Sequence, residues 1–285
     1  MTHTLPYAAN CSLLFTELPL LERPAAAAAA GFLAIELWWP WPDRAVPSDL
    51  ELDRLVTAVR DAGVRMVGLN LFGGDLAGPD AGMVSIPGRE RELHDNVDVV
   101  VGLADQLGIG ACNALYGVRL EGVDPREQDE LATANLAHAA ERLATVGGTV
   151  LVEPLSGPKP YPLRTAADVV AVLDRVRRPD VRLLLDLFHL ANNGDDLDAA
   201  IDGYAHRVGH VQVADHPGRH EPGTGSLDLD RHLTRLQEAG YAGPVALEFF
   251  PSTSTLDSLA WLPIERRRGP TPTGTDAPAP SDLLD

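Results

Sequence analysis

The chain of 285 residues has few cysteines, no long apolar run and no recognisable leader, and each shortage excludes a class of protein. Its two cysteines, Cys11 and Cys112, are too few for a disulfide framework, and we expect them to be small buried residues of strands. No apolar run reaches about 18 residues, so we expect no membrane span. The first residues lack the charged-then-apolar pattern of a signal peptide. The sequence therefore predicts a cytoplasmic protein.

Positive charge is also scarce. The formal net charge is −18 at pH 7, which argues against a nucleic-acid-binding surface and is typical of a soluble protein. Lys159 is the single lysine, so Schiff-base chemistry has one candidate, and its Gly/Pro-rich surroundings disfavour that role.

The chain does contain eight short strand-like runs that alternate with helical patterns. The predicted strands are Tyr7–Cys11, Ala34–Trp38, Met66–Leu71, Ile109–Ala114, Thr149–Glu153, Arg182–Asp186, Gly209–Val213 and Val245–Glu248. Between them, Thr165 and Asp168 form a predicted capping box, and Gly63 is a predicted helix stop. Eight βα repeats without a break favour the α/β class and one domain, a (β/α)8 TIM barrel over residues 1–263.

The last residues differ in kind from the repeats. Residues 264–285 are rich in proline, threonine and alanine and show no apolar period. We expect this segment to be a disordered tail, because it has too few apolar side chains to form a packed core.

Four predicted strands in the second half end in a polar side chain that can bind a metal. These residues are Glu153, Asp186, Gln212 and Glu248, spaced 26 to 36 residues apart. A strand and its returning helix take about 30 residues, and side chains at the same end of barrel strands point into one cavity. Three crowded carboxylates would repel one another without a cation between them, so the pattern predicts a divalent-metal site. For Gln212 alone, an ordinary barrel-lining amide is the alternative.

Two histidines lie near these strand ends. His189 follows Asp186 by three residues, which places it at the same mouth, although a core or surface histidine would show the same spacing. His210 precedes Gln212 by two residues, so it should share that face, lie deeper in the barrel and support a ligand rather than be one.

The loops after strands two and seven offer further candidates. Arg219 is the only strong cation in its loop and could bind a carboxylate, or it could form a surface salt bridge with Glu221. The aromatic cluster Trp38-Trp39-Pro40-Trp41 could equally line a small-molecule pocket or pack in a core or interface.

Several of these strings together resemble a known family. They are Ile86-Pro87-Gly88-Arg89-Glu90, Glu153-Pro154, Asp186-Leu187-Phe188-His189, Gly209-His210-Val211-Gln212-Val213-Ala214-Asp215 and Glu221-Pro222-Gly223-Thr224-Gly225. The chain resembles the hydroxypyruvate isomerases, which are xylose-isomerase-like TIM barrels, from about Tyr7 to Trp261. The chain differs from the family after the Glu-Pro pair. The family usually has an aliphatic residue followed by asparagine there, whereas this chain has Leu155-Ser156.

The resemblance implies a reaction and a site. It implies interconversion of hydroxypyruvate and tartronate semialdehyde through an enediolate, an intramolecular oxidation and reduction that belongs to glyoxylate metabolism. The substrate would be a small 2-keto or hydroxy acid, and the cofactor a divalent metal, Mg²⁺ or Mn²⁺, without a nucleotide. By this resemblance Glu153 and Glu248 are catalytic and His189 and Arg219 bind substrate. The implied metal ligands are Glu153, Asp186, Gln212 and Glu248.

Other functions stay open at this point. An isomerase of four-carbon 2-oxo acids, of the 2-oxo-tetronate type, uses a nearly identical motif set. Sugar epimerases and dehydratases on this barrel commonly have histidine where Gln212 stands. A phosphodiesterase of the endonuclease type would need more histidine ligands and a basic face. A catalytically silent binding barrel would not need Glu153 and Glu248. The residues do not decide the oligomeric state, and a homo-oligomer is one option.

Overall fold

The computed structural model of the chain describes residues 1–268, which form a closed barrel of eight parallel strands surrounded by helices. The strands are β1 (Tyr7–Asn10), β2 (Ala34–Leu37), β3 (Arg65–Asn70), β4 (Ala111–Asn113), β5 (Thr149–Val152), β6 (Val181–Asp186), β7 (Val208–Val213) and β8 (Val245–Leu247). They follow one another around the barrel in chain order, and β1 pairs with β8 to close it. The predicted TIM barrel is confirmed.

Ten helices cover the outside of the barrel in the described part of the chain. They are α1 (Arg23–Ala29), α2 (Asp49–Ala62), α3 (Glu90–Leu107), α4 (Pro125–Ala144), α5 (Ala166–Val176), α6 (Leu187–Asn193), α7 (Leu197–Tyr204), α8 (Leu229–Glu238), α9 (Thr255–Ser258) and α10 (Ile264–Arg267). Short 3₁₀ turns lie at Leu20–Glu22 and Ala205–Arg207.

Local signals set the ends of these helices. At the start of α5, the Thr165 hydroxyl accepts from the Asp168 amide at 3.1 Å, and the Asp168 carboxylate accepts from the Thr165 amide at 2.8 Å. At the end of α2, Gly63 has φ +66°, a left-handed conformation that favours glycine. Both features confirm the sequence prediction.

Side chains alternate between the lumen of the barrel and the helices outside it. Ala8, Ala34 and Ala246 pack together in one small buried cluster. Because strand side chains repeat every two residues, the side chains two positions later lie one layer further toward the carboxyl ends of the strands. Those residues are Asn10, Glu36 and Glu248. The same alternation that places alanine side chains in the lumen therefore places polar side chains at the mouth of the barrel.

The apolar core lies mainly between the strands and the helices. Val150 and Leu183 of the strands and Leu136 and Leu173 of the helices are at most 1% exposed. Complete burial of such a side chain stabilises the fold by about 1.5–3 kcal/mol. The strand ends that carry the polar groups are therefore attached to a rigid support.

The two cysteines are buried, free thiols. Cys112 lies in β4 and Cys11 directly follows β1. Burial raises the pKa of each thiol to about 12, so neither is a reactive thiolate at neutral pH.

Ordered structure extends a few residues beyond the predicted barrel boundary. Helix α10, at the start of the predicted tail, packs against the barrel: Arg267 donates to the Ala30 carbonyl at 2.9 Å, and Ile264 lies beside Gly31. The composition of the tail did not indicate this helix, because only two of its side chains, Ile264 and Arg267, make these contacts. Residues 269–285, the rest of the predicted tail, lie outside the described residues. Among helices of residues 1–268, none is long and apolar enough to cross a membrane.

Candidate functional site

The carboxylates of three strand ends meet at the mouth of the barrel. Glu153, Asp186 and Glu248 are at most 5% exposed. Ligand atoms of Asp186, Glu248 and His189 all lie within 4.8 Å of one another. Glu153 is close enough to the other two carboxylates for their charges to raise its pKa. The structure therefore brings together the acidic residues that the strand pattern selected.

Glu248 is surrounded by hydrogen-bond donors. Its Oε1 accepts from Trp38 Nε1 at 2.6 Å, Gln212 Nε2 at 3.1 Å and Asn10 Nδ2 at 3.2 Å, and its Oε2 accepts from Arg219. Burial raises the pKa of this carboxyl to about 7, although the Arg219 charge opposes the rise. Glu248 is thus held in one orientation and titrates near neutral pH when no metal is bound.

Glu153 has different surroundings. Burial, followed by the charges of Glu248 and Asp186, raises its pKa well above the usual range. Its backbone carbonyl accepts from the buried Tyr161 hydroxyl at 3.1 Å, which fixes the chain just after β5. The two glutamates therefore lie in one site but in different surroundings, which give them unequal affinities for a proton.

Asp186 connects the site to the helix that follows. It caps α6 by accepting from the His189 amide at 3.0 Å through Oδ1. Burial raises the pKa of its carboxyl, while the nearby Arg219 charge lowers it. The cap explains why an aspartate and a histidine three residues apart lie at the same mouth.

His189 is held as a neutral ring with a defined tautomer. Its Nδ1 accepts from the Ser156 backbone amide at 3.0 Å, so in the neutral ring Nε2 carries the proton. Burial lowers the pKa of His189 to about 3. His189 Nε2 lies 3.8 Å from Asp186 Oδ2, inside the acidic cluster. The residue can offer an N–H to an oxygen of a substrate, and it does so without carrying positive charge.

Arg219 is the cation among these acids. Its guanidinium lies 5.3 Å from the ring centre of Phe188 and 5.7 Å from that of Phe250, and it forms the ion pair with Glu248. Its Nε is buried and has no hydrogen-bond partner within residues 1–268. Of the two interpretations of Arg219, the structure supports the one that places it in the site, because its ion pair is with Glu248 and not with Glu221.

A polar network around Glu36 was missed at the sequence level, except for His210 and Gln212. Glu36 of β2 is 3% exposed and accepts from His210 Nε2 at 2.7 Å, Gln212 Nε2 at 2.8 Å and Asn10 Nδ2 at 2.8 Å. The expectation that His210 lies below Gln212 is confirmed. The signal for Glu36 was its position as a charged residue inside the apolar run of β2.

A cavity of about 250 Å³ opens onto the carboxylates. Its lining includes Trp38 from the β2 loop, Ser156 and Lys159 from the β5 loop, and Arg219 from the β7 loop. Trp38 therefore lines a pocket, whereas Trp39 and Trp41 pack edge to face with each other. The volume suits a small metabolite, and the lining offers both cations and hydrogen-bond donors to an anionic one.

The residues present fit a hard divalent cation. The donors are carboxylate oxygens together with the Gln212 Oε1 atom, which is buried and accepts no hydrogen bond from the described residues. A buried acceptor without a donor is rare in native proteins and indicates a missing partner. A cation would supply that partner and would offset the repulsion among the three acids.

Comparison with known proteins agrees with the barrel fold. Residues 24–264 match the family model described as a xylose isomerase-like TIM barrel. A Streptomyces coelicolor protein, provisionally named a hydroxypyruvate isomerase, is 53% identical over 90% of this chain and 95% of its own length. The 2-oxo-tetronate isomerase of Haemophilus influenzae is 32% identical over 90% of this chain and 97% of its own length.

A solved structure gives the same result for the fold. The crystal structure of a Brucella melitensis protein, described as an AP endonuclease of family 2, superposes with a TM-score of 0.82. It is 36% identical and covers 90% of this chain and 97% of its own. The resemblance seen in the sequence is confirmed by the matching family model and by relatives along almost the whole barrel. The chain belongs to the xylose isomerase-like TIM barrel family, and it is an isomerase.

Proposed function

We propose that this isomerase interconverts hydroxypyruvate and tartronate semialdehyde, with Glu153 and Glu248 as its acid and base. The observation that carries the proposal is that these two glutamates, His189 and Arg219 line one cavity of about 250 Å³, while Asp186 has a ligand atom within 4.8 Å of those of His189 and Glu248. The 53% identity to a protein with that provisional name supports the choice of substrate.

The reaction moves protons and leaves the carbon skeleton intact. C3 of hydroxypyruvate loses a proton, which gives an enediolate, and C2 gains one, while the hydroxyl proton passes from the C3 oxygen to the C2 oxygen. One glutamate takes the carbon-bound proton, and the same or the opposing glutamate returns one to the neighbouring carbon. The unequal surroundings of Glu153 and Glu248 suit this exchange, because they separate the two proton affinities.

A divalent cation completes the proposed site. Glu153, Asp186, Gln212 and Glu248 would hold it, with Mg²⁺ or Mn²⁺ as the ions that best match oxygen donors. When bound, the cation would polarise the substrate carbonyl and stabilise negative charge on its oxygens.

Two further residues would orient the substrate. Arg219 Nε is a buried donor without a partner among the described residues, so it is available to a carboxylate, and the nearby rings of Phe188 and Phe250 keep the guanidinium in place. The Nε2–H of His189 is directed by the Ser156 amide on the other ring nitrogen, so it can donate to a hydroxyl or carbonyl oxygen. Both contacts would align the carbons with the glutamates.

Proton exchange in deuterium oxide tests this proposal most directly. The chain would be incubated with keto acids and ketoses of three to six carbons, with and without chelator, and followed by proton NMR. We expect deuterium to enter hydroxypyruvate next to its carbonyl, with tartronate semialdehyde as the product and a slower rate under chelator. Preferential exchange of 2-oxo-tetronate would move the assignment to the four-carbon acids, and exchange in sugars alone would contradict it.

The endonuclease alternative has weaker support. In residues 1–268, the group of side chains suited to a metal contains one histidine, His189. The net charge of −18 also opposes the binding of a phosphodiester backbone.

We further propose that the enzyme works on glyoxylate-derived acids in the cytoplasm, where buried thiols such as Cys11 and Cys112 stay reduced.

A further inference from the structure

The buried Glu36 carboxylate, which has no role in the proposed reaction, lies at the centre of a polar network. Its Oε1 accepts from Asn10 Nδ2 and Gln212 Nε2, each at 2.8 Å, and its Oε2 accepts from His210 Nε2 at 2.7 Å. All four side chains are at most 3% exposed. A buried carboxylate in the lumen of a barrel is costly unless donors surround it, and here both of its oxygens are used.

This network fixes the orientation of the Gln212 amide. An amide has a donor end and an acceptor end that exchange when it flips, whereas a carboxylate can only accept. Gln212 Nε2 donates to Glu36 Oε1 and also to Glu248 Oε1 at 3.1 Å. A flipped amide would put an oxygen against these two carboxylate oxygens. Within residues 1–268, the acceptor atom Gln212 Oε1 is therefore the one left without a partner.

We infer that Glu36 is a positioning residue that holds Gln212 in the orientation in which its carbonyl oxygen binds the cation. The inference rests on the proposed function, because it concerns the cation that the reaction would use. Asn10 extends the same arrangement to a second ligand, since its Nδ2 donates to Glu36 Oε1 and to Glu248 Oε1 at 3.2 Å. Loss of a residue that orients a metal ligand typically weakens metal affinity by about 10- to 100-fold.

Two substitutions separate positioning from simple charge. Glu36→Gln removes the charge and places an amide against other donors, whereas Glu36→Asp keeps the charge but withdraws both oxygens by one methylene. If Glu36 positions Gln212, both variants should bind Mn²⁺ about 10- to 100-fold more weakly than the wild type. If only its charge matters, Glu36→Asp should match the wild type. Asp180→Asn, at a carboxylate bonded to Arg178 beside the opposite end of β6, is the control.

The measurement is the dissociation constant of Mn²⁺, taken from the free-ion signal in electron paramagnetic resonance titrations of the full chain. Thermal unfolding followed by circular dichroism shows that each variant is folded, and a merely structural role would lower the melting temperature without changing the affinity. Failure of the wild type to bind Mn²⁺ would count against the proposed function and the inference together. Wild-type binding with unchanged affinity in the Glu36 variants would overturn the inference alone.

A double-mutant cycle identifies the residue through which Glu36 acts. Gln212→Ala removes the proposed ligand, so Glu36→Gln should have little further effect on Mn²⁺ affinity in that background. Equal losses in both backgrounds would show that Glu36 acts independently of Gln212, and the positioning role would be wrong.

Discussion

Replacement of either site glutamate by glutamine should lower turnover to a similar extent, but the two variants should differ in stability. Glu153→Gln and Glu248→Gln should each lower turnover by about 10²- to 10⁴-fold, the usual contribution of a positioned acid or base. Glu248→Gln should also raise the stability of the metal-free protein at pH 7 and above, because it removes a carboxyl group whose ionisation is opposed by burial. Turnover of hydroxypyruvate and thermal melting in chelator measure the two effects.

A matched control for these variants is Glu238→Gln, which changes an exposed glutamate at the end of α8 and should leave turnover unchanged. A near-wild-type rate for Glu153→Gln or Glu248→Gln would remove that glutamate from the mechanism. Equal stability of Glu248→Gln and the wild type at pH 7 and above would instead show that ionised Glu248 does not destabilise the fold.

Single-residue features of the site were predictable where they follow from strand periodicity. The rule that found Glu153 at the end of β5 also applies to the first four strands, which carry Asn10, Glu36, Asn70 and Asn113 at or near their ends. Applied to all eight strands, it would have found Asn10 and Glu36 of the network around Glu36. The hydrogen bond from Trp38 to Glu248 was not predictable, because it depends on how a loop turns after β2.

At the scale of elements, the loop between β7 and α8 depends on one buried carboxylate. Asp215 is 1% exposed, and it accepts from the backbone amides of His216 at 2.9 Å, Gly223 at 2.7 Å and Leu227 at 3.0 Å. The same loop holds Arg219, whose amide donates to the Asp215 carbonyl at 3.0 Å. The loop therefore carries the cation of the site on a framework built from its own backbone.

Asp215→Asn should loosen this loop, because its amide group would present a donor to backbone donors. Hydrogen bonds to charged groups contribute about 1.5–3 kcal/mol each, so we expect a loss of that order in the free energy of unfolding. Displacement of Arg219 should lower kcat/KM as well. Urea denaturation and steady-state kinetics test both effects, and a loss of stability with unchanged kcat/KM would show that Arg219 keeps its place without the loop framework.

Lys159, the single lysine, connects the loop after β5 to the loop after β3 beside the cavity. Lys159, in the β5 loop, donates to the Leu76 carbonyl at 2.8 Å and to the Asp80 carbonyl, both in the β3 loop. Lys159→Met should weaken this attachment by about 1–2 kcal/mol and raise KM roughly 5- to 30-fold, with less change in kcat. Lys159→Arg keeps a cation there as a control. An unchanged KM for Lys159→Met would mean that the loops hold together without it.

The strands were predicted to within one or two residues, whereas these loops were not predicted in detail. Apolar runs such as Leu183–Leu185 are buried by the barrel itself, so their pattern contains the information that places them. The loop conformations depend on contacts between distant segments, for example Lys159 with Asp80, or on backbone states such as the φ of +60° at Arg219. No short sequence pattern encodes either.

At the scale of the whole molecule, the site lowers the stability of the folded protein when no metal is bound. Burial raises the pKa of Glu248 from 4.5 to about 7, and that of Glu153 well above 4.5. A carboxyl whose pKa is raised on folding stabilises the protein below its unfolded pKa, and this contribution is lost as the pH rises through the folded pKa. For Glu248 the window is therefore from about pH 4.5 to about pH 7, and the loss amounts to roughly 3 kcal/mol.

The difference between two proteins isolates this effect from the many surface acids. In chelator, the wild type should lose stability relative to Glu248→Gln as the pH rises from about 4.5 to about 7, since only the wild type ionises at that position. The pKa of about 7 already includes the attraction of Arg219, so the slope of the difference with pH is the quantity to measure. Mn²⁺ at about 100 times its dissociation constant should restore about 2.7 kcal/mol to the wild type. Thermal melts at each pH, with chelator or Mn²⁺, give these slopes. Parallel curves in chelator would mean that Glu248 keeps an ordinary pKa, and the crowding of acids at the barrel mouth would then not require a cation.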